Sequence, residues 1–224
     1  MAQILLPSLR RLALTALASL AMVLLGALLL TLSPPAAQAA ASDVPPTLAP
    51  VEPTTLAKAV VAMEDLDRMR IALASTLEGS SEEPTQQTMK EVCKPVGMKA
   101  AAIGEENGWQ VRQVAAKFRN PDHAPVGAQE REVIDLFHRQ PAITGLWQPA
   151  TAEQGAGVNY YRRINVEPSC LACHGTKASR PAFVTENYPA DRAFDFKAGD
   201  LRGMYAVFIP EAPLARDTLG DTTG

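Results

Sequence analysis

Aromatic residues make up only 5% of the chain, and there are just three cysteines and three histidines in 224 residues. Three cysteines are too few, and odd in number, for a fold built on disulfides. Positive charge is not in excess either. Two of the 21 Lys and Arg, Arg10 and Arg11, fall in the first 39 residues, so the remaining 19 face 24 Asp and Glu beyond that point. A mildly acidic chain without a basic stripe is not a nucleic-acid binder. No internal repeat is visible, which excludes a solenoid or propeller. Nor does any cluster supply an acid/base pair, a nucleophile or an oxygen-activating pocket. Glu105 and Glu130 read as ordinary helix or turn carboxylates, and nothing in the pattern supports an enzyme.

The N-terminus has the layout of a secretory signal. Arg10 and Arg11 precede the apolar run Leu12–Leu32, which is followed by Pro34, Pro35 and the small-residue stretch Ala36-Ala37-Gln38-Ala39. Cleavage is expected after Ala39, placing the rest of the chain in the periplasm or otherwise outside the cytoplasm. The apolar run is also long enough to span a bilayer, so an uncleaved leader would act as a membrane anchor. Residues 40–53 contain Pro45, Pro46, Pro50 and Pro53 and read as a tether. One domain of 54–214 comes next, with 215–224 as a flexible tail.

Within that domain, Leu56, Val60, Met63, Leu66, Leu73 and Leu77 recur at helical spacing after the candidate caps Thr54 and Thr55. Glu64, Asp65, Asp67 and Arg68 are assigned to the opposite, solvated side. Gly79-Ser80-Ser81 ends this helix, and Pro84 suits the first turn of a second. Met89, Val92, Cys93 and Val96 share a face there, and Pro95 predicts a kink or helix end just past Cys93. Residues 104–126 read as loop, and Gly127–His138 as a third helix with Val133, Ile134 and Phe137 inward. Ala142–Pro149, Val158–Val166 and Gly203–Pro210 read as strands, separated by the Gly/Pro-rich stretch 175–202. Helices first and strands later predict an α+β fold, with helices packed on an antiparallel sheet.

One motif carries chemistry. Cys170-Leu171-Ala172-Cys173-His174 is C-x-x-C-H, the attachment signature of c-type haem. Two thiols three residues apart on a helical turn reach the two vinyl groups of one porphyrin edge, and His174 comes next as the iron ligand. A thioredoxin-like pair needs a βαβ context that is absent. A zinc site lacks a second Cys/His pair, and a short disulfide leaves His174 without a role. One motif means one covalently attached haem c. The candidates for the iron's other axial position are His123, His138, the methionines and Cys93. Met204 reads as a strand-core residue, His123 as a polar loop residue and His138 as a cation at a helix C-terminus. Cys93 is the leftover thiol, and reads either as a small buried apolar residue or as a thiolate ligand. Lys117 and Arg119 read as haem-propionate partners or as a solvated loop.

Around these residues the chain resembles exported single-haem proteins with a PAS-like sensory fold and Cys/His-ligated c-type haem, long labelled a domain of unknown function. The resemblance spans about residues 50–210. It is carried by Val92-Cys93-Lys94, by Lys117-Phe118-Arg119-Asn120-Pro121 with Pro125 and Glu130, by Cys170–Gly175 and by Gly199-Asp200-Leu201-Arg202-Gly203. Val114-Ala115 stand where the family shows a hydroxyl-bearing pair, and His123 where Asn is more usual. The resemblance implies a PAS-like antiparallel sheet with N-terminal helices, and His174 and Cys93 as axial ligands. Two functions are expected: a haem module sensing redox state or a gas, with a membrane sensor kinase or redox protein as partner, which the PAS resemblance supports; and, as the alternative, a low-potential electron-transfer cytochrome, which the small, exported single-haem chain supports.

Overall fold

The computed structural model describes residues 51–211. The expected signal segment, most of the Pro-rich tether and the C-terminal tail lie outside the described residues. Among the described residues no helix is long and apolar enough to cross a membrane.

Helix α1 (Pro53–Ser75) starts one residue earlier than the tether boundary implies. Pro53 itself opens the helix, because its missing N–H falls among donors that have no intrahelical partner anyway. The capping role expected of Thr54 or Thr55 is therefore not used. Helix α2 (Gln86–Val92) is capped by Thr85, not opened by Pro84. The Thr85 hydroxyl accepts from Thr88 N at 3.3 Å, and Thr85 N donates back to Thr88 Oγ1 at 2.9 Å. Helix α3 (Lys94–Asn107) begins after a single residue, with Pro95 in its first turn. Cys93 is thus the hinge residue between two helices, in keeping with the break that Pro95 predicts.

The stretch 104–126 is not all loop. Helix α3 runs on to Asn107, and Gly108 ends it in the left-handed conformation at φ 69°. Strand β1 (Gln110–Val114) comes next. Three further helices, α4 (Gly127–Arg139), α5 (Leu171–His174) and α6 (Ala182–Asn187), are interleaved with β2 (Gly145–Pro149), β3 (Gly157–Asn165) and β4 (Leu201–Pro210). The four strands form one antiparallel sheet in the order β1-β4-β3-β2. The fold is α+β.

Strands β3 and β4 are central and buried on both faces, which explains their unbroken apolar runs. One face carries Tyr160, Ile164, Tyr205 and Val207 against Met63 and Leu66 of α1 and Val96 and Ile103 of α3. The other face carries Tyr161, Met204 and Ala206 against Val133, Ile134 and Phe137 of α4. Met204 is fully buried there, in agreement with its reading as core.

Asp67 corrects the sequence reading of α1. It is only 3% exposed and lies on the inward side of the helix. Its partners come from far along the chain as well as near. Arg70 Nε lies 2.6 Å from Oδ1, and Arg162 Nη1 of β3 lies 2.8 Å from Oδ2. Arg162 also grips Glu64 with two bonds of 3.0 Å. A buried carboxylate is tolerated when paired in this way.

Candidate functional site

The haem-type motif lies where the chain leaves β3. A 3-10 turn over Pro168–Cys170 leads directly into α5, so Cys170, Cys173 and His174 sit on one compact helical turn. Residues three apart on such a turn point to one side. All three line a cavity of about 590 Å³, within the range of roughly 300–1,000 Å³ usual for cofactor sites. The walls are largely apolar, from Ala74 of α1 and Leu77 in the turn after it, Val92, Val96 and Ala101 of α2 and α3, and Val114 and Ile164 of the sheet.

Cys93 lines the same cavity, brought there by the break between α2 and α3. It is exposed on the cavity wall, and none of the three cysteines forms a disulfide. The protein around its thiol is nonetheless dense. Burial pushes the Cys93 pKa up, against the opposing pull of Arg119. Burial likewise pushes Cys173 up to about 11. These thiols resist ionising unless a positive centre arrives beside them.

His174 has one nitrogen already committed. Its Nδ1 lies 2.7 Å from the carbonyl oxygen of Ala193. A carbonyl only accepts, so Nδ1 carries the proton and Nε2 keeps the lone pair. Arg119 Nη2 lies 3.4 Å from the same Nδ1, but its short bond is the 2.8 Å one to the Cys173 carbonyl. Burial, then Arg202 and Arg119, holds the His174 pKa well below the ordinary imidazole value. The ring is therefore neutral, the form in which imidazole binds a metal. Phe196 meets it edge-on, with centroids 6.1 Å apart.

Three arginines line the cavity: Arg70, Arg119 and Arg202. Arg70 Nη1 lies 3.7 Å from the Cys170 sulfur, and its Nη2 is buried without a hydrogen-bond partner. Arg119 is no solvated loop residue. It pairs with buried Asp191 at 3.4 Å. Arg202 donates to the Lys117 carbonyl at 3.1 Å, and no carboxylate lies within 4 Å of it among the described residues. Lys117 itself donates to the Asp195 carbonyl at 3.2 Å and sits 4.0 Å above the Phe196 ring.

Of the other axial-ligand candidates, some reach the cavity and some do not. His138 is exposed in the last turn of α4, away from the cavity wall. Met89 and Met98 line the cavity, but Met89 Sδ already accepts from Tyr188 OH at 3.2 Å. His123, expected as a polar loop residue, sits in a 3-10 turn and lines the cavity, where burial lowers its pKa. The sequence reading missed Arg70, Asp191 and Ala193. No local pattern marks them, because the contacts that tie them to the site, Ala193 to His174, Asp191 to Arg119 and Arg70 to Cys170, span 19 to 100 residues.

No curated protein matches the chain. The crystal structure of the cyanobacterial heme-protein Tll0287 is similar to it, with 53% identity and a TM-score of 0.66, over 74% of this chain and 100% of that one. Residues 49–210 match the Tll0287-like family, and the chain belongs to that family.

Proposed function

We propose that this protein is an exported c-type haem protein whose single haem is a redox- or gas-responsive sensing centre. The observation that carries the reading is the convergence of Cys170, Cys173, His174 and Cys93 on one apolar cavity. A similar protein is a heme-protein by its description, which supports the same cofactor here. Cys170 and Cys173 would hold haem covalently, His174 would bind its iron through Nε2, and Cys93 would take the opposite position. Haem bound there supplies one redox-active iron. A thiolate ligand favours the ferric state and lowers the potential. The sheet with its N-terminal helices supports a PAS-like sensory reading, and the protein's role is then binding and signalling, not catalysis. Its partner would be a membrane sensor kinase or a redox protein.

Carbon monoxide titration of the dithionite-reduced protein tests this reading. A sensor gives up Cys93 and forms a stable adduct in stoichiometric amount. A protein that refuses carbon monoxide and instead exchanges electrons rapidly with a small donor is the alternative, an electron-transfer cytochrome.

A further inference from the structure

The segment Asp191–Phe196 lies across the haem-type motif and is stitched to it bond by bond. Ala193 O accepts from His174 Nδ1 at 2.7 Å, Asp195 N donates to Gly175 O at 2.6 Å, and Phe196 N donates to His174 O at 3.3 Å. Asp195 holds the left-handed conformation at φ 56°, and its Oδ1 accepts from Lys177 N at 2.9 Å. The downstream side of Ala193 is therefore pinned by backbone. Upstream, Arg192 N donates to Phe118 O at 2.8 Å and Asp191 N to Tyr188 O at 2.9 Å, and one side chain holds Ala193 itself. Asp191 Oδ1 accepts from Ala193 N at 3.1 Å.

That carboxylate is fully buried, its side chain 0% exposed, and it is held by two guanidinium groups. Arg180, just beyond the motif, reaches Oδ2 at 3.2 Å, and Arg119, beyond β1, reaches Oδ1 at 3.4 Å. Arg119 simultaneously donates to the Cys173 carbonyl at 2.8 Å. A buried carboxylate carries a large desolvation penalty, and here two of its three partners, Arg119 and Ala193, bond directly to the motif.

We infer that Asp191 is a positioning residue for His174: by fixing Ala193 it holds the imidazole in the Nδ1–H tautomer and aligned for metal binding. This rests on the proposed haem function for its redox consequence, though not for its geometry. A hydrogen bond at the distal nitrogen of a metal-bound imidazole raises the basicity of the ligating one. A fixed Ala193 carbonyl therefore favours ferric iron, and a loosened one raises the midpoint potential.

The full-length protein as isolated is compared with Asp191→Asn, Asp191→Ala and, as a control, Arg112→Gln, which breaks the Arg112–Glu130 pair at 2.8 Å away from the cavity wall. Two quantities are read: hydrogen exchange of the His174 Nδ1–H by NMR, and the midpoint potential. Exchange should accelerate roughly tenfold in Asp191→Asn, whose NH2 cannot accept from the guanidinium that Oδ2 now holds, the worth of about one hydrogen bond, and further in Asp191→Ala, which also loses the bond to Ala193 N. The potential should rise in the same order. Arg112→Gln should lower the melting temperature and move neither quantity. Wild-type exchange and potential in a folded Asp191→Asn protein would overturn the inference, as would equal shifts in Arg112→Gln. Should Asp191→Ala not fold, Asp191→Asn decides alone. Should the isolated protein carry no haem, the haem reading fails by itself. The 15N shifts of the His174 ring then decide: a single Nδ1–H tautomer that becomes mixed in Asp191→Asn supports the positioning role, and an unchanged ring overturns it.

Discussion

Replacing Cys93 with Ser should convert the oxidised protein from a low-spin to a high-spin spectrum, or recruit another ligand, and should raise the midpoint potential. The physical cause starts in the chain. Pro95 cannot extend α2, so the helix ends at Cys93 and a new one begins, with the thiol on the cavity wall at the junction. The cavity raises the thiol pKa by burial, so only a nearby positive centre makes the thiolate the stable form. Serine keeps the size of the side chain and removes the soft, readily ionised donor. Cys93→Met should keep a six-coordinate spectrum while raising the potential further, because a neutral thioether no longer offsets ferric charge. His123 is the imidazole that could step in, since it lines the same cavity. Electron paramagnetic resonance reads the outcome. Ferric g-values identical in wild type and Cys93→Ser would reduce Cys93 to a packing residue.

The second large effect is on stability. Asp67→Ala should destabilise the fold by about 3–5 kcal/mol, the usual consequence of removing one partner from a buried ion pair. Asp67 is 3% exposed and is shared by Arg70 and Arg162. Removing it leaves two guanidinium groups facing each other across α1 and β3. Asp67→Asn keeps a hydrogen-bond acceptor and should be milder. Urea denaturation monitored by circular dichroism measures both. A loss below about 1 kcal/mol for Asp67→Ala, the level of an exposed pair, would mean that the pair is hydrated in solution.

Much of this architecture can be read along the sequence, for particular reasons. The spacing of Val133, Ile134 and Phe137 marks α4 because that helix buries one stripe and exposes the rest. The run Gly-Met-Tyr-Ala-Val-Phe-Ile-Pro marks β4 because a central strand is apolar on both faces. Strand β1 escapes for the opposite reason. It is a five-residue edge strand with the sequence Gln-Val-Arg-Gln-Val, and its Arg112 turns outward to Glu130. The signal that could have found it is Gly108, which ends α3 and frees the next residues to pair. The C-x-x-C-H motif is local and therefore legible. Asp191 and Ala193 lie in a Gly/Pro-rich stretch with no periodicity, and only the fold brings them to His174. Asp67 misleads because a carboxylate among charged neighbours on a helix reads as solvated until Arg162 arrives from β3.

The central claim is that Cys170 and Cys173 carry haem while Cys93 stays a thiol. Peptide mapping of the full-length protein, matured in cells that attach c-type haem and then alkylated in denaturant, tests it in one measurement. The expected result is a haem adduct on tryptic peptide 164–177, which holds Cys170, Cys173 and His174, together with an alkylated Cys93 in peptide 91–99. Alkylation of all three cysteines, with no haem on either peptide, would contradict it.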